Sequence, residues 1–556
     1  MRHLAACLLC LVCVSVSAAN SITPSGMILR STYGSISVVA PFTWDDNGNA
    51  VAAVQFRTGS DAYVNAYTPF IDRRPVVAGA SNSNSNQARV AIAGLQSGLS
   101  YDVILTWTDV DGGGASYTNQ ISTQSRSWPV LSTNYVDASA GSEGNGSSGS
   151  PWKTITNANV QASSGALILV APGTYVGGTW TNSGASGWTT LKANGGTVTV
   201  SNMTLNATKA RLNGITFPTR NGDSLTVSGG SQWVIDSCTF LDVSESGTYG
   251  DAGLSISGTS VSNGVVSGCS FTTDNTGNSV FGIYGEGEIV GALTIESNTF
   301  TGTFRDPISR SAQSLYNHGL VRANTVTGWN DDGIEFEGQC INAVLLGNVI
   351  VDSPVAASCI GFAGPTIGPA YVARNFCRTT NSSSYVVKAG VDMPQIQAAY
   401  VFHNTFIAGT NAADAMSRVG GSNWVGLVSR NNILIAYRYP IYRGRDGQDW
   451  DYDILLTTDN TKVADEWNGV TGYTTLSAFN AGTGQEAHGI STNPGIQSDG
   501  SIQQGSSAID AGVALAGWNG AGTAWPYSGV SPDVGFYEFS GSSGAVSVNV
   551  GTLIVP

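Results

Sequence analysis

Charge is scarce in this chain of 556 residues: Asp, Glu, Lys and Arg together make up only 11%. Basic residues are the scarcer kind, 24 against 38 acidic, for a net charge of −14. With no basic patch to meet phosphates, nucleic acid is set aside as a partner. An acidic polysaccharide is not, because a local Arg/Lys cluster or a bound cation can reverse the field. Beyond residue 19 no apolar run is long enough to cross a bilayer, so membrane insertion is not expected. Long helical patterns are also missing. The apolar segments are short, rich in Val, Ile and Thr, and broken by Gly, Asn and Ser, which makes them strands and turns. Low charge combined with 70 glycines would suit disorder, but an ordered repeat argues against it.

The repeat is seen in one turn position: Cys238, Cys269, Asn298, Asn324, Asn348, Asn375, Asn404 and Asn431. Successive copies lie between 24 (Asn324 to Asn348) and 31 (Cys238 to Cys269) residues apart. Three positions earlier stands an apolar column: Ile235, Val266, Ile295, Val321, Leu345, Val372, Val401 and Val428. Two positions later stands another: Phe240, Phe271, Phe300, Val326, Ile350, Cys377, Phe406 and Ile433. This period is too short for a propeller blade of about 40 residues and suits one coil of a solenoid. Parallel coils stack about 4.8 Å apart, so each column becomes a ladder of touching side chains.

Read in order, residues 1–19 form a basic start, an apolar run and small residues, the pattern of a secretory signal peptide. A secreted, extracellular or periplasmic location follows, with five cysteines left in the mature chain. Cys238 and Cys269 fill one column on neighbouring coils, close enough for a disulfide, whereas Cys377 reads as a buried free thiol. Residues 20–128 lack the repeat and alternate as short strands. The segment GLQSGLSYDVILTW, with Leu95 six residues before Tyr101, resembles a fibronectin type III domain, which implies a small β-sandwich. Trp44, Tyr63 and Trp107 there are candidate sugar-stacking aromatics, weighed against ordinary core and surface roles. Residues 129–540 open with NYVDASAGSEGNGSSGSPWKTITNA and ALILVAPGTYVGG. This resembles the start of secreted right-handed parallel β-helix proteins of the pectate-lyase-like group, in which a short amphipathic helix caps the open end. Pro151 suits the first turn of such a helix. Asp137, Glu143 and Asn145 are weighed as a calcium site or a solvated loop. NPGIQSDGSIQQGSSAIDAG and SPDVGFYEFSG resemble the closing segment of the same group, and 541–556 is a tail. The fold class is thus all-β, a right-handed parallel β-helix preceded by a fibronectin type III-like sandwich.

Each coil also carries a second strand ahead of its Asn. Its inward column reads Leu254, Ile283, Ile308, Ile334, Ile360, Val387 and Met416. The next residue points outward: Ser255, Tyr284, Ser309, Glu335, Gly361, Lys388 and Ser417. Side chains alternate along a strand and stack between coils. Asp306, Asp331, Asp332, Glu335, Glu337 and Lys388 therefore converge on one face, with Arg305 and Arg418 near it. Carboxylates crowded on adjacent coils can hold one acid protonated beside an ionised base. An inverting glycosidase needs such a pair about 6.5–9.5 Å apart with a water between.

These residues resemble the motifs of polygalacturonase-like glycoside hydrolases. Asp306 falls on the family's first Asp, Asp331 and Asp332 on its Asp-Asp pair, and Lys388 on its final Lys. Phe304, Ser358 and Val386 stand where that family has Asn, His and Arg. The resemblance implies inverting hydrolysis of a uronic-acid-containing polysaccharide. Asp306, Asp331 and Asp332 are then catalytic, and Lys388, Glu335, Glu337, Arg305 and Arg418 bind substrate. That reading requires no cofactor. A second reading is a polysaccharide lyase with Lys388 as base and Ca2+ held by Asp332, Glu335 and Glu337. A third is a non-catalytic polysaccharide-binding adhesin or matrix protein. In each the partner is a polysaccharide and the protein is expected to be a monomer.

Overall fold

The computed structural model describes residues 20–73, 86–218, 222–243, 250–258, 261–274, 280–286, 291–310, 317–353, 358–380, 385–391, 397–409, 413–418, 426–459, 461–470 and 472–539. The signal-peptide reading of 1–19 and the tail 541–556 lie outside them. Nearly all of the fold is β, organised as a parallel β-solenoid of about 9 turns preceded by small antiparallel sheets consistent with a β-sandwich.

In the sandwich, Ser35–Thr43 pairs antiparallel with Gln87–Ala93, and Val51–Thr58 with Ser100–Thr108. Alternation builds the core. Tyr101, Val103, Leu105 and Trp107 are buried on one face of a single strand, packed with Ile36, Val38, Phe42 and Phe56. The Tyr101 hydroxyl turns back to accept the Gln96 N–H at 3.0 Å.

Ser132–Val136 starts the solenoid, pairing in parallel with Ala166–Val170. The helix between them is Ile155–Gln161, and its N-cap is Thr154, whose hydroxyl accepts the Asn157 N–H. Pro151 therefore lies before the cap, not in the first turn as its sequence position suggested. Glu143 accepts from the Lys153 N–H, the Thr154 hydroxyl and the Asn157 amide, and Asp137 accepts from Ser139. These acids tie the loop to itself and to the helix start.

Three parallel sheets run the length of the solenoid. The Asn of each coil sits in a tight turn between two of them and builds a continuous ladder. Asn324 Nδ2 donates to Ile295 O one coil back and to Asn348 Oδ1 one coil on, each at 3.0 Å. Asn348 Oδ1 also accepts the Asn324 backbone N–H. The pattern repeats through Asn375, Asn404 and Asn432 to Asp453. The last Asn rung is thus Asn432, one residue beyond the expected Asn431. In that coil Ser429 and Leu434 stand beneath Val401 and Phe406, where Val428 and Ile433 were expected. Asn431 instead takes a left-handed φ of 60° and bonds His403 and Val513.

At the other end of the ladder the thiols replace the amides. Cys269 Sγ donates to Ile235 O and Cys238 Sγ to Leu212 O. The five cysteines among the described residues are free and buried, so the expected Cys238–Cys269 disulfide is absent. Each of these two sulfurs donates to a backbone carbonyl of the preceding coil, as an Asn Nδ2 does. Alongside runs a phenylalanine stack, Phe217–Phe240–Phe271–Phe300, with ring centroids 4.9, 4.4 and 4.7 Å apart.

The sandwich packs directly onto the solenoid. Ala91 and Ala93 share a buried cluster with Leu320, Val344, Tyr371 and Phe402. Ser37 contacts His318 Nδ1 and accepts from Asn342, both at 2.7 Å. The closing segment runs back over the coils, where Gly535 N–H donates to Asn431 O and Phe536 N–H to the Thr405 hydroxyl.

Candidate functional site

The inward and outward columns of the third sheet hold across the coils. Ile283 pairs with Ile308, Ile308 with Ile334, Ile334 with Ile360, Ile360 with Val387 and Val387 with Met416. Glu335, Gly361, Lys388 and Ser417 follow in the outward register.

The acids at the head of this sheet are placed by an interruption. Pro307 brings no backbone N–H to the ladder. Beside it the Asp306 carboxylate takes over an acceptor's role, receiving the Asp332 N–H at 2.7 Å. Asp306 is 1% exposed, and its other oxygen, Oδ2, is buried without a hydrogen bond, 3.7 Å from Arg305 Nε. Burial first, then the charges of Glu335, Asp332 and Asp331, push its pKa well above the usual carboxylate range. These surroundings favour the protonated form of Asp306 over the carboxylate.

Asp332 is fully buried. Its carboxylate lies over Gly361, where a Cβ would collide with it. It accepts from the Ser358 hydroxyl and meets Lys388 Nζ at 2.6 Å. Burial raises the Asp332 pKa and Lys388 opposes the rise. Burial likewise favours a neutral Lys388, but Asp332 and Asp331 outweigh it and drive that pKa above its ordinary value. Lys388 is an ammonium ion throughout the physiological range.

Asp331 is the accessible member of the pair, with 36% of its side chain exposed, held by Arg305 at 2.9 Å and Lys388 at 3.4 Å. Glu335 is half-buried and accepts from the Ser309 hydroxyl at 2.8 Å. The site therefore joins Asp306, Asp331, Asp332, Glu335, Arg305 and Lys388. The Glu337 side chain lies outside the described residues. Arg418 turns away along its strand to donate to Arg443 O at 3.0 Å.

Sequence reasoning passed over three contributors. Ser309 orients Glu335, Ser358 bonds Asp332, and Gly361, on the intervening coil, leaves the gap across which Lys388 reaches a carboxylate two coils back. The signal for Gly361 was a glycine in an outward column between Glu335 and Lys388.

One oxygen each of Asp306, Asp332 and Glu335 lies within 4.8 Å of the other two. That is tighter than the roughly 6.5–9.5 Å of an inverting pair with its water, so no two of these three form such a pair. An all-carboxylate trio suits a hard cation in donor type. Here the Lys388 ammonium already sits on Asp332 at 2.6 Å, so it competes with any cation for one member of the trio. A proton α to a carboxylate is best removed by a base whose pKa lies near the working pH; the raised Lys388 is not such a base.

No family model matches the chain, and no curated protein or solved structure matches it. A β-solenoid with a docked N-terminal β-sandwich and a partly buried acid–base cluster on its third sheet is the class of protein defined.

Proposed function

We propose that this cluster cleaves glycosidic bonds of an acidic polysaccharide by hydrolysis, in a secreted protein acting outside the cytoplasm. The supporting observation is a division of labour among carboxyl groups set by environment. Burial and neighbouring acids favour the protonated form of Asp306 in the layer against Glu335, while Asp331 is accessible and held between two cations. Carboxyl groups in such contrasting surroundings can divide into an acid and a base. In this reading Glu335 delivers the proton to the leaving oxygen and draws it from Asp306 behind it. Asp331 orients and deprotonates the attacking water. Arg305 and Lys388 offset the negative field that would otherwise repel a uronate. Asp332 positions Lys388.

The test is product analysis on oligogalacturonate, alginate and hyaluronan. New reducing ends without ultraviolet-absorbing unsaturated sugars are expected, unchanged by chelator. Asp331→Asn and Glu335→Gln should each lower the rate by roughly 10²–10⁴, the scale of general acid–base catalysis. Unsaturated products, a chelator-sensitive rate, or binding without cleavage would each end the hydrolase reading.

A further inference from the structure

The three aromatic candidates of the sandwich have separate fates. Trp107 is buried against Phe42, with ring centroids 5.2 Å apart. Tyr63 lies beneath Arg57, whose guanidinium is 4.4 Å from the ring centroid. Trp44 is 57% exposed. Its backbone has a φ of 69°, followed by Asp45 at 73°. Left-handed backbone is an outlier for a bulky residue and persists only where surrounding structure imposes it.

That surrounding structure is specific. Asp45 is 4% exposed, and it accepts from Arg73 Nε at 2.7 Å and from the Ala50 N–H at 3.2 Å. Arg73 also donates to Ala50 O. Asn47 and Asn49 both donate to Asp111 Oδ2, at 2.7 and 2.8 Å. The loop is tied at its base and at its tip, while the indole between them is left in solvent. It borders a cavity of about 660 Å³ lined also by Thr43, Asp46, Asn47, Arg73 and Asn86. Small-ligand sites span about 300–1,000 Å³.

The lining selects the ligand. One flat aromatic face surrounded by hydroxyl, amide and carboxylate groups matches a molecule with a C–H face and a rim of hydroxyls, which is a pyranose ring. A lipid or steroid would need more apolar wall. Among the described residues of the lining, two carboxylates, Asp45 and Asp46, stand against one guanidinium, Arg73, which disfavours phosphate and uronate ligands. We propose that the N-terminal sandwich binds an uncharged glycan at Trp44, separately from the chemistry of the solenoid. The preset loop lowers the ordering cost of binding.

Titration calorimetry of the full chain with cellohexaose, xylohexaose and maltohexaose tests this, with trigalacturonate as the charged control. At least one neutral oligosaccharide should bind saturably and in preference to the control. Trp44→Ala should weaken it by about tenfold or more, the factor corresponding to about 1.4 kcal/mol, with an unchanged melting temperature. Trp44→Phe should bind between the two. Asp331→Asn, on the solenoid, should bind as the parent does. The proposal is overturned if none of the three neutral sugars binds, if Trp44→Ala binds as well as the parent, or if Asp331→Asn abolishes binding.

Discussion

Lys388 shows how one residue's surroundings decide its role. Its outward register places it two coils from Glu335, and register alone makes it a surface cation free to meet a substrate. The Gly361 gap lets it reach the fully buried Asp332 at 2.6 Å instead. Removing one partner of a buried pair leaves an uncompensated charge and costs about 3–5 kcal/mol. Lys388→Met is therefore expected to destabilise the protein on that scale, measured by denaturant unfolding, as well as to impair turnover. Replacing both partners, as Lys388→Met with Asp332→Leu, should recover much of the stability without recovering activity. A single variant that unfolds like the parent would show that the pair is not formed in solution. Asp331→Asn, at an accessible position, should by contrast leave the unfolding curve nearly unmoved.

At the scale of the coil, the turn column is a hydrogen-bond ladder, and it accounts for both what the sequence revealed and what it concealed. Its Asn residues were legible because a buried amide in a tight turn needs hydrogen-bond partners, which polar residues at the same position of neighbouring coils supply. The inward Ile and Val columns were legible because side chains alternate with a period of two. The last rung was misread because Asn431 and Asn432 are adjacent and either satisfies the spacing. The choice rests on Asp453 and on the closing segment that captures Asn431, both far away in sequence. The burial of Asp306 and Asp332 was hidden similarly: strand alternation says nothing of a head-of-strand carboxylate that replaces a ladder acceptor. The ladder makes its own prediction. Asn348→Ala strips partners from Val321 O and from the Asn324 N–H and Nδ2. Each buried orphan costs about 1–3 kcal/mol, so the variant should lose several kcal/mol in denaturant unfolding. Cys269→Asn, which extends the same ladder toward Ile235 O, should match or exceed the parent. If Cys269→Asn is as damaging as Asn348→Ala, the thiol and the amide are not equivalent rungs.

Across the whole molecule, the pH dependence of stability is governed by buried carboxyl groups in a chain with few cations to pair them. At the far end of the ladder, Asp453 and Glu486 face each other fully buried. The Asp453 N–H donates to Glu486 Oε2, and Asp453 Oδ1 accepts from the Asn432 backbone and side chain. Burial pushes Asp453 up to about 6, and burial followed by the Asp453 charge lifts Glu486 well above its usual range. Glu538, in the closing segment, is pushed up to about 7 by burial and by Asp533. Asp306 moves in the same direction. A carboxyl group raised in the folded state contributes stability that is complete below its unfolded value, about 4. That contribution is lost as pH rises through the folded value. For Asp453 and Glu538 the decline falls between about pH 4 and pH 7, and the net charge of −14 adds self-repulsion in the same direction as pH rises. A few surface acids oppose the trend: Asp111, Asp137 and Asp499 are lowered by their hydrogen bonds and favour the folded state only once ionised. Being solvent-screened, they carry less weight than the buried groups. The melting temperature should therefore peak on the acid side of neutrality and fall from about pH 5 to pH 8, the reverse of a protein held by ionised surface pairs. Glu486→Gln keeps the donor–acceptor shape but removes one ionisation, and should flatten the decline most strongly at the C-terminal coils. Hydrogen exchange at the Asn432 and Ile454 amides, followed at pH 5 and pH 8, reads that end of the solenoid directly. Equal protection at both pH values in the parent would show that the Asp453–Glu486 proton does not hold the ladder closed.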